Sequence, residues 1–356
     1  MTPPLAAPPR AAQLSPRADR SPRAERSPAP WIAAAALALV ACVVASILLG
    51  SESVSLLRAL EGPGLDRTLL VHVRPPRVAL AAIAGAGLAV VGTAFQALLR
   101  NPLAEPYVLG VSGGAALGAT LAIALGLGTA TALGAALLPA AALAGGLAAT
   151  LLVYGIARDA PAQAAGTSIL LAGIMVNAIA SALITFLKTL VSPSRAQQLL
   201  RWLVGFIELP SPTALAAVTI YVALGSAMLL RDAARLNLLA LGDESAEALG
   251  LDVRALTRRV FFACSCVVGA IVSLTGLIGF VGLLVPHALR RLVGPDHRLL
   301  LPLSLLLGAA LVCTCDLAAR LLFRWLGTEP PVGAVTALLG GPVFLWILHR
   351  EARLLQ

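Results

Sequence analysis

The chain has 356 residues, 59% of them hydrophobic and only 12% charged, and its mean hydropathy is +0.91. A soluble domain carries about twice that charged share, so a soluble enzyme is excluded and the apolar runs require lipid. The formal charge of +9 does not mark a nucleic-acid partner, because the arginines stand between apolar runs, where they orient spans in a bilayer.

Those runs are continuous rather than alternating, which selects helices over a membrane barrel. The expected fold class is therefore an all-α polytopic membrane protein. Residues 1–30 contain "SPRADRSPRAERSP", too rich in proline and charge for a core, and read as a disordered cytoplasmic tail. The helical membrane domain then occupies 31–350. With roughly 20 apolar residues per span, ten transmembrane helices are expected at about 31–50, 78–98, 107–126, 131–155, 168–187, 212–230, 259–274, 276–293, 299–319 and 332–349. Trp31 to Gly50 reads as a retained first span, since no small-residue cleavage site follows it. Gly276, Gly279, Gly282 and Pro286 interrupt the eighth segment, which predicts a broken helix packed in protein. Ten spans put both termini on one side. Seventeen of the 26 basic residues fall on that side, which the positive-inside rule makes the cytoplasm.

Two intervals between spans carry functional expectations. Thr167 and Ser168 open the fifth span at its cytoplasmic mouth and form a candidate gate. The interval 231–258 contains "LNLLALGDESAEALGLDV" (236–253). Here Gly242 and Asp243 offer an N-terminal cap, Glu244 and Glu247 sit where the helix dipole favours acids, and Gly250 can close the C-terminus. So short a helix needs a surface to lie on. Leu239, Leu241, Ala246, Leu249 and Leu251 supply apolar contacts.

What the spans lack narrows the function. Intramembrane ionisable groups, which a proton- or sodium-driven transporter needs, reduce to Asp316, Lys188 and His287, none squarely at mid-span. No phosphate-cradling G-x-x-x-x-G-K-[ST] loop is possible, because Lys188 is the only lysine and follows Leu187. The chain is thus expected not to be an enzyme, and ATP hydrolysis would belong to another subunit touching it from the cytoplasm. Cys264/Cys266 and Cys313/Cys315 are C-x-C pairs on helices, where residues two apart diverge, so no metal site is expected.

Five stretches, "LRNPLAEPYVLGVSGGAALGA" (99–119), "LLAGIMVNAIASAL" (170–183), "LNLLALGDESAEALGLDV", "GFVGLLVPHALRRLVGPDHRLLLPLSLLLGA" (279–309) and "PVGAVTALLGGPVFLWIL" (331–348), closely resemble the FecCD-type permeases. These are membrane subunits of ATP-driven importers for ferric siderophores, haem and cobalamin. The resemblance implies the ten-helix type II ABC importer fold in a bacterial inner membrane. It also implies a homodimer (or a pair with a paralogous permease), two cytoplasmic ATPase subunits that hold ATP and Mg, and a periplasmic or lipid-anchored substrate-binding protein. No cofactor is implied on this chain, and ferric siderophore is the first substrate expectation, ahead of cobalamin or haem. On the same basis Leu239 to Leu251 is the coupling helix, and Arg74, Arg77 and Arg320 are outward arginines that pair with acids of the binding protein. Arg74-Pro75-Pro76-Arg77 and Glu329-Pro330-Pro331-Val332-Gly333 depart from the family's R-L-P-R and E-L-P-V-G, so docking geometry is where this chain should differ.

Overall fold

The computed structural model describes residues 28–127, 132–157 and 165–354. The tail expected over 1–30 lies outside these residues except for Pro28 to Pro30, which belong to the first helix. Among the described residues every regular element is helical: α1 (Pro28–Leu48), α2 (Leu56–Glu61), α3 (Leu65–Thr68), α4 (Arg74–Leu98), α5 (Val111–Ala124), α6 (Ala132–Ala157), α7 (Ala165–Leu190), α8 (Pro193–Val204), α9 (Pro212–Arg231), α10 (Ala233–Leu239), α11 (Asp243–Ala248), α12 (Val253–Thr275), α13 (Val281–Val293), α14 (His297–Leu326) and α15 (Val332–Leu354). A π-helical turn, Leu69–Val73, joins α3 to α4, and a 3₁₀ turn, Pro106–Leu109, precedes α5.

Seven of these stretches are long and apolar enough to cross a bilayer: α1, α3 with α4, α6, α7, α9, α12 and α14. The segments expected to span at 107–126, 276–293 and 332–349 are instead represented by shorter apolar helices, α5, α13 and the Val332–Leu345 part of α15. For α5 and α13 the shortness has a physical cause: each begins after an irregular stretch, the 3₁₀ turn at Pro106–Leu109 and the break at 276–280.

Helix α4 is the centre of the bundle and packs against α14, α12, α13, α9 and α1. Lipid tails remove the hydrophobic drive between spans, so close approach must come from small residues. A Cβ on Gly85 would collide with the carbonyl of Gly308, and one on Gly92 with that of Gly282. Polar side chains then tie the helices across these contacts. Thr93 Oγ1 lies 2.7 Å from Ser304 Oγ, and Gln96 Nε2 donates to Gly282 O at 3.1 Å. Asn177 of α7 donates to Tyr107 O at 2.6 Å and accepts from Gly113 N at 3.1 Å.

The interruption at Gly276 to Phe280 is real. Gly276 adopts φ +65° and ends α12, and Phe280, at φ +67°, starts α13. A broken helix inside a bundle strands backbone N–H groups that lipid cannot satisfy. The loop after α4 satisfies them: Glu105 Oε1 accepts from Phe280 N at 2.6 Å, and Tyr107 Oη accepts from Ile278 N at 2.7 Å.

Candidate functional site

Two polar assemblies stand at opposite ends of the bundle. One is built on α10 and α11. Here α10 buries Ala233, Leu236 and Leu239 against the core, and Asp232 at its start is held by Arg235 and by Arg259 at 3.3 Å. Asn237 uses its whole amide: Oδ1 accepts from His297 N at 2.9 Å and lies 2.7 Å from His297 Nδ1, and Nδ2 donates to Asp296 Oδ1 at 2.6 Å. That carboxylate also caps α14 through Arg298 N at 2.9 Å. Burial would raise the Asp296 pKa, but these N–H donors outweigh it and hold the group below the usual carboxylate range.

The helix expected over about 239–251 is shorter than that. Residues 240–242 form a turn, and α11 runs only from Asp243 to Ala248. Gly242 is the N-cap at φ +106°, a conformation L side chains rarely adopt, and it provides no side-chain cap. Asp243 therefore stands inside the first turn, and its carboxylate pairs with Arg100, whose Nε also donates to Leu239 O at 3.1 Å. Gly250 (φ +84°) ends the element: Leu251 N bonds to Ala246 O at 3.0 Å and Gly250 N to Glu247 O at 2.9 Å, the two bonds of a Schellman motif. Of the expected apolar contacts, Leu239 and Ala246 are buried and Leu251 is partly so. Leu241 and Leu249 are not: each is 61% exposed. They flank the exposed Glu244 and Glu247 on a projecting knob.

Arg100, one of the seventeen basic residues on the side expected to be cytoplasmic, carries no local sequence signal for a structural role. It pins α11 to the end of α4 and itself adopts φ +46°, the kind of strained backbone that clusters where structure serves function. Asn237 and His297 carried no motif signal, because their partnership joins residues 60 apart.

The second assembly lies at the other end of the bundle and corrects the expectation of three outward arginines. Arg74 and Arg320 are buried, and Arg77 is half-buried. Arg74 donates to Ile47 O (2.9 Å), Leu48 O (2.8 Å) and Glu52 O (2.7 Å). Arg320 Nη1 donates to Ser46 O (2.9 Å) and Leu49 O (3.1 Å), while its Nε reaches Asp316 Oδ2 at 2.9 Å. The two guanidiniums thus cap the carbonyls left unpaired at the end of α1 and complement its dipole. Arg77 Nη2 meets Asp316 Oδ1 at 2.8 Å and also pairs with Glu329. Asp316, fully buried, is the hinge of the network. The guanidiniums face inward because α1, mostly unburied along its length, needs a clasp.

Thr167 and Ser168 occupy the first turn of α7, Thr167 exposed and Ser168 half-buried. They lie at the α7 end nearer Gly110, whose surroundings include Gly173.

A bundle with seven helices long and apolar enough to cross a bilayer, a broken α12–α13 junction and a projecting two-leucine knob at one end defines a polytopic helical membrane protein. The chain belongs to the FecCD transport family, whose model matches residues 38–350. It is similar to the cobalamin import system permease protein BtuC of Halobacterium salinarum, with 41% identity over 82% of this chain and 77% of the relative. With the hemin transport system permease protein HmuU of Yersinia pestis it shares 38% identity over 79% of this chain and 83% of the relative. A solved structure of a metal-chelate type ABC transporter in an inward-facing conformation superposes with a TM-score of 0.79 at 30% identity, over 91% of this chain and 99% of that one.

Proposed function

We propose that the chain is the membrane-spanning permease subunit of an ATP-driven importer for a metal chelate, and that it works as a homodimer or beside a paralogous permease. Cobalamin is the first substrate candidate and haem the second, supported by the names of relatives at 41% and 38% identity. Ferric siderophore, the substrate expected from the motifs, belongs to the same class. In this reading α5, α13 and α15 complete a ten-span topology. The α10–α11 end faces the cytoplasm with both termini, the membrane is the bacterial inner membrane, and the opposite end faces the periplasm.

The observation that carries the proposal is the α11 knob. Exposed leucines beside acids, on a helix fixed by Arg100 and a Schellman cap, make a rigid projection with an unpartnered apolar tip. Two copies of a separate ATPase, binding ATP and Mg, would receive Leu241 and Leu249 in a groove and be steered by Glu244 and Glu247. Asn237 would pass the movement to α14 through Asp296 and His297. Gate motion falls to the start of α7, at Thr167 and Ser168. A substrate-binding protein would dock at the other end, on the platform that Arg74 and Arg320 hold and that Arg77 borders. At that end Arg58, paired with Asp66 at 3.1 Å, Arg67, and Arg324, which donates to Ser51 O at 3.0 Å, are exposed cations.

The test is uptake by proteoliposomes containing this chain, its ATPase and its binding protein, supplied in turn with cobalamin, haem and a ferric siderophore. ATP-dependent accumulation of one chelate supports the proposal. Uptake driven by an ion gradient without the ATPase contradicts it.

A further inference from the structure

Helices α6 and α9 both pack along α12 but scarcely touch each other. The gap between them is a cleft of about 490 Å³ whose walls are apolar, with Ala140 and Leu143 on one side, Ala217 and Tyr221 on the other, and Ala270 and Leu274 of α12 as the floor. Pro139, Ser211, Ala214, Ser273 and Leu274 also line a second cavity, of about 610 Å³, so the two are continuous. This second cavity is the mouth, and its mostly apolar lining also carries the polar side chains of Gln197, Gln198 and Arg201 of α8 and of Glu208. Arg201 and Glu208 are both exposed, with their charged atoms 3.8 Å apart.

Both walls of the cleft belong to spans that turn most of their surface away from the bundle, so the gap opens to the bilayer. From Ser211 at the mouth to Tyr221 it follows ten residues of α9, about 15 Å at ~1.5 Å per residue. That is half the ~30 Å hydrocarbon core, the depth of one leaflet. Water has no polar partners in the apolar part of the cleft, so lipid rather than solvent is its natural filling.

We infer that the cleft is a binding site for one phospholipid with a zwitterionic, amine-bearing headgroup. An acyl chain lies between α6 and α9 on the α12 floor. The phosphate lies on Arg201 and the ammonium on Glu208, so the adjacent opposite charges of the mouth each meet their complement. A purely anionic headgroup would satisfy Arg201 and face Glu208 unfavourably. The glutamine amides supply donors for the ester and phosphate oxygens. This site is independent of which chelate the chain carries.

Native mass spectrometry of the full chain, extracted from nanodiscs of equimolar phosphatidylethanolamine and phosphatidylglycerol, tests the assignment. The wild type should retain one phospholipid per chain, enriched several-fold in phosphatidylethanolamine. Glu208→Gln should keep a lipid and lose the enrichment. Ala217→Trp, at an exposed position that fills the cleft, should lose the lipid while keeping its helical circular dichroism and oligomeric mass. A wild type without retained lipid, enrichment that survives Glu208→Gln, or equal retention by Ala217→Trp would each overturn the site. A changed oligomeric mass in Ala217→Trp would assign the cleft to a second copy of the chain instead.

Discussion

Replacing Asp316 with asparagine isolates the ionic clasp of α1. Asparagine keeps the volume and one acceptor, so packing is preserved, but the charge between Arg77 and Arg320 is gone. Asp316 is fully buried and Arg320 nearly so. The amide oxygen can still accept from one guanidinium, but the other loses its partner, leaving Arg320 with the Ser46 and Leu49 carbonyls or Arg77 with Glu329. Breaking a buried pair by removing one partner costs about 3–5 kcal/mol. At about 1–2 °C per kcal/mol for a chain of 356 residues, the unfolding midpoint in detergent should fall by roughly 3–10 °C. Glu329→Gln is the internal control. Its side chain is 29% exposed, so its loss should cost about 1 kcal/mol or less. A thermal scan of both variants by tryptophan fluorescence reads the difference directly, and release of α1 should appear as new proteolytic cleavage between Leu49 and Ser55. If Asp316→Asn melted with the wild type, or if Glu329→Gln were the more damaging change, the clasp would not be what fixes α1. The same geometry predicts that Arg320→Glu destabilises the protein rather than only weakening docking, because it would set two carboxylates against each other in a buried site.

Glu105→Gln should be tolerated because the amide oxygen still accepts from Phe280 N, whereas Glu105→Leu should cost about 1–3 kcal/mol by leaving that donor unpaired; the two melting curves decide it. Arg100→Ala should leave insertion and the melting midpoint nearly unchanged but lower ATPase-coupled uptake by loosening α11, and uptake at the wild-type rate would rule the pin out. Cysteines at Thr167 or Ser168, cross-linked across a dimer, should change in yield with nucleotide if the start of α7 is a gate; equal yield in every nucleotide state would remove that role.

Much of this arrangement was legible in the sequence because it follows from composition and periodicity. The apolar runs located the helices, and the glycines of 276–282 announced the break. Gly250 marked the close of α11 because a residue at φ +84° there is read from glycine alone. What was not legible depended on contacts far apart in the chain. Arg74 and Arg320 look like free cations in sequence, since nothing local reveals that the end of α1 needs donors or that Asp316 joins Arg320 to Arg77. Glu105 reads as a loop acid until the broken α12–α13 junction is placed beside it, 175 residues away. Leu241 and Leu249 follow the same hydrophobic rhythm as Leu239, yet only the turn at 240–242 decides that they point away from the bundle.

In the proposed assembly a separate ATPase engages this chain at α11, and one binding measurement tests that contact. Leu241→Asp and Leu249→Asp, made together, alter two exposed tips and nothing buried, so the permease should insert and melt as the wild type does. The affinity of the reconstituted variant for its ATPase subunit, measured by biolayer interferometry on nanodisc-held permease, should then fall at least tenfold, about 1.4 kcal/mol. Wild-type affinity in that double variant, with the fold intact, would contradict the account.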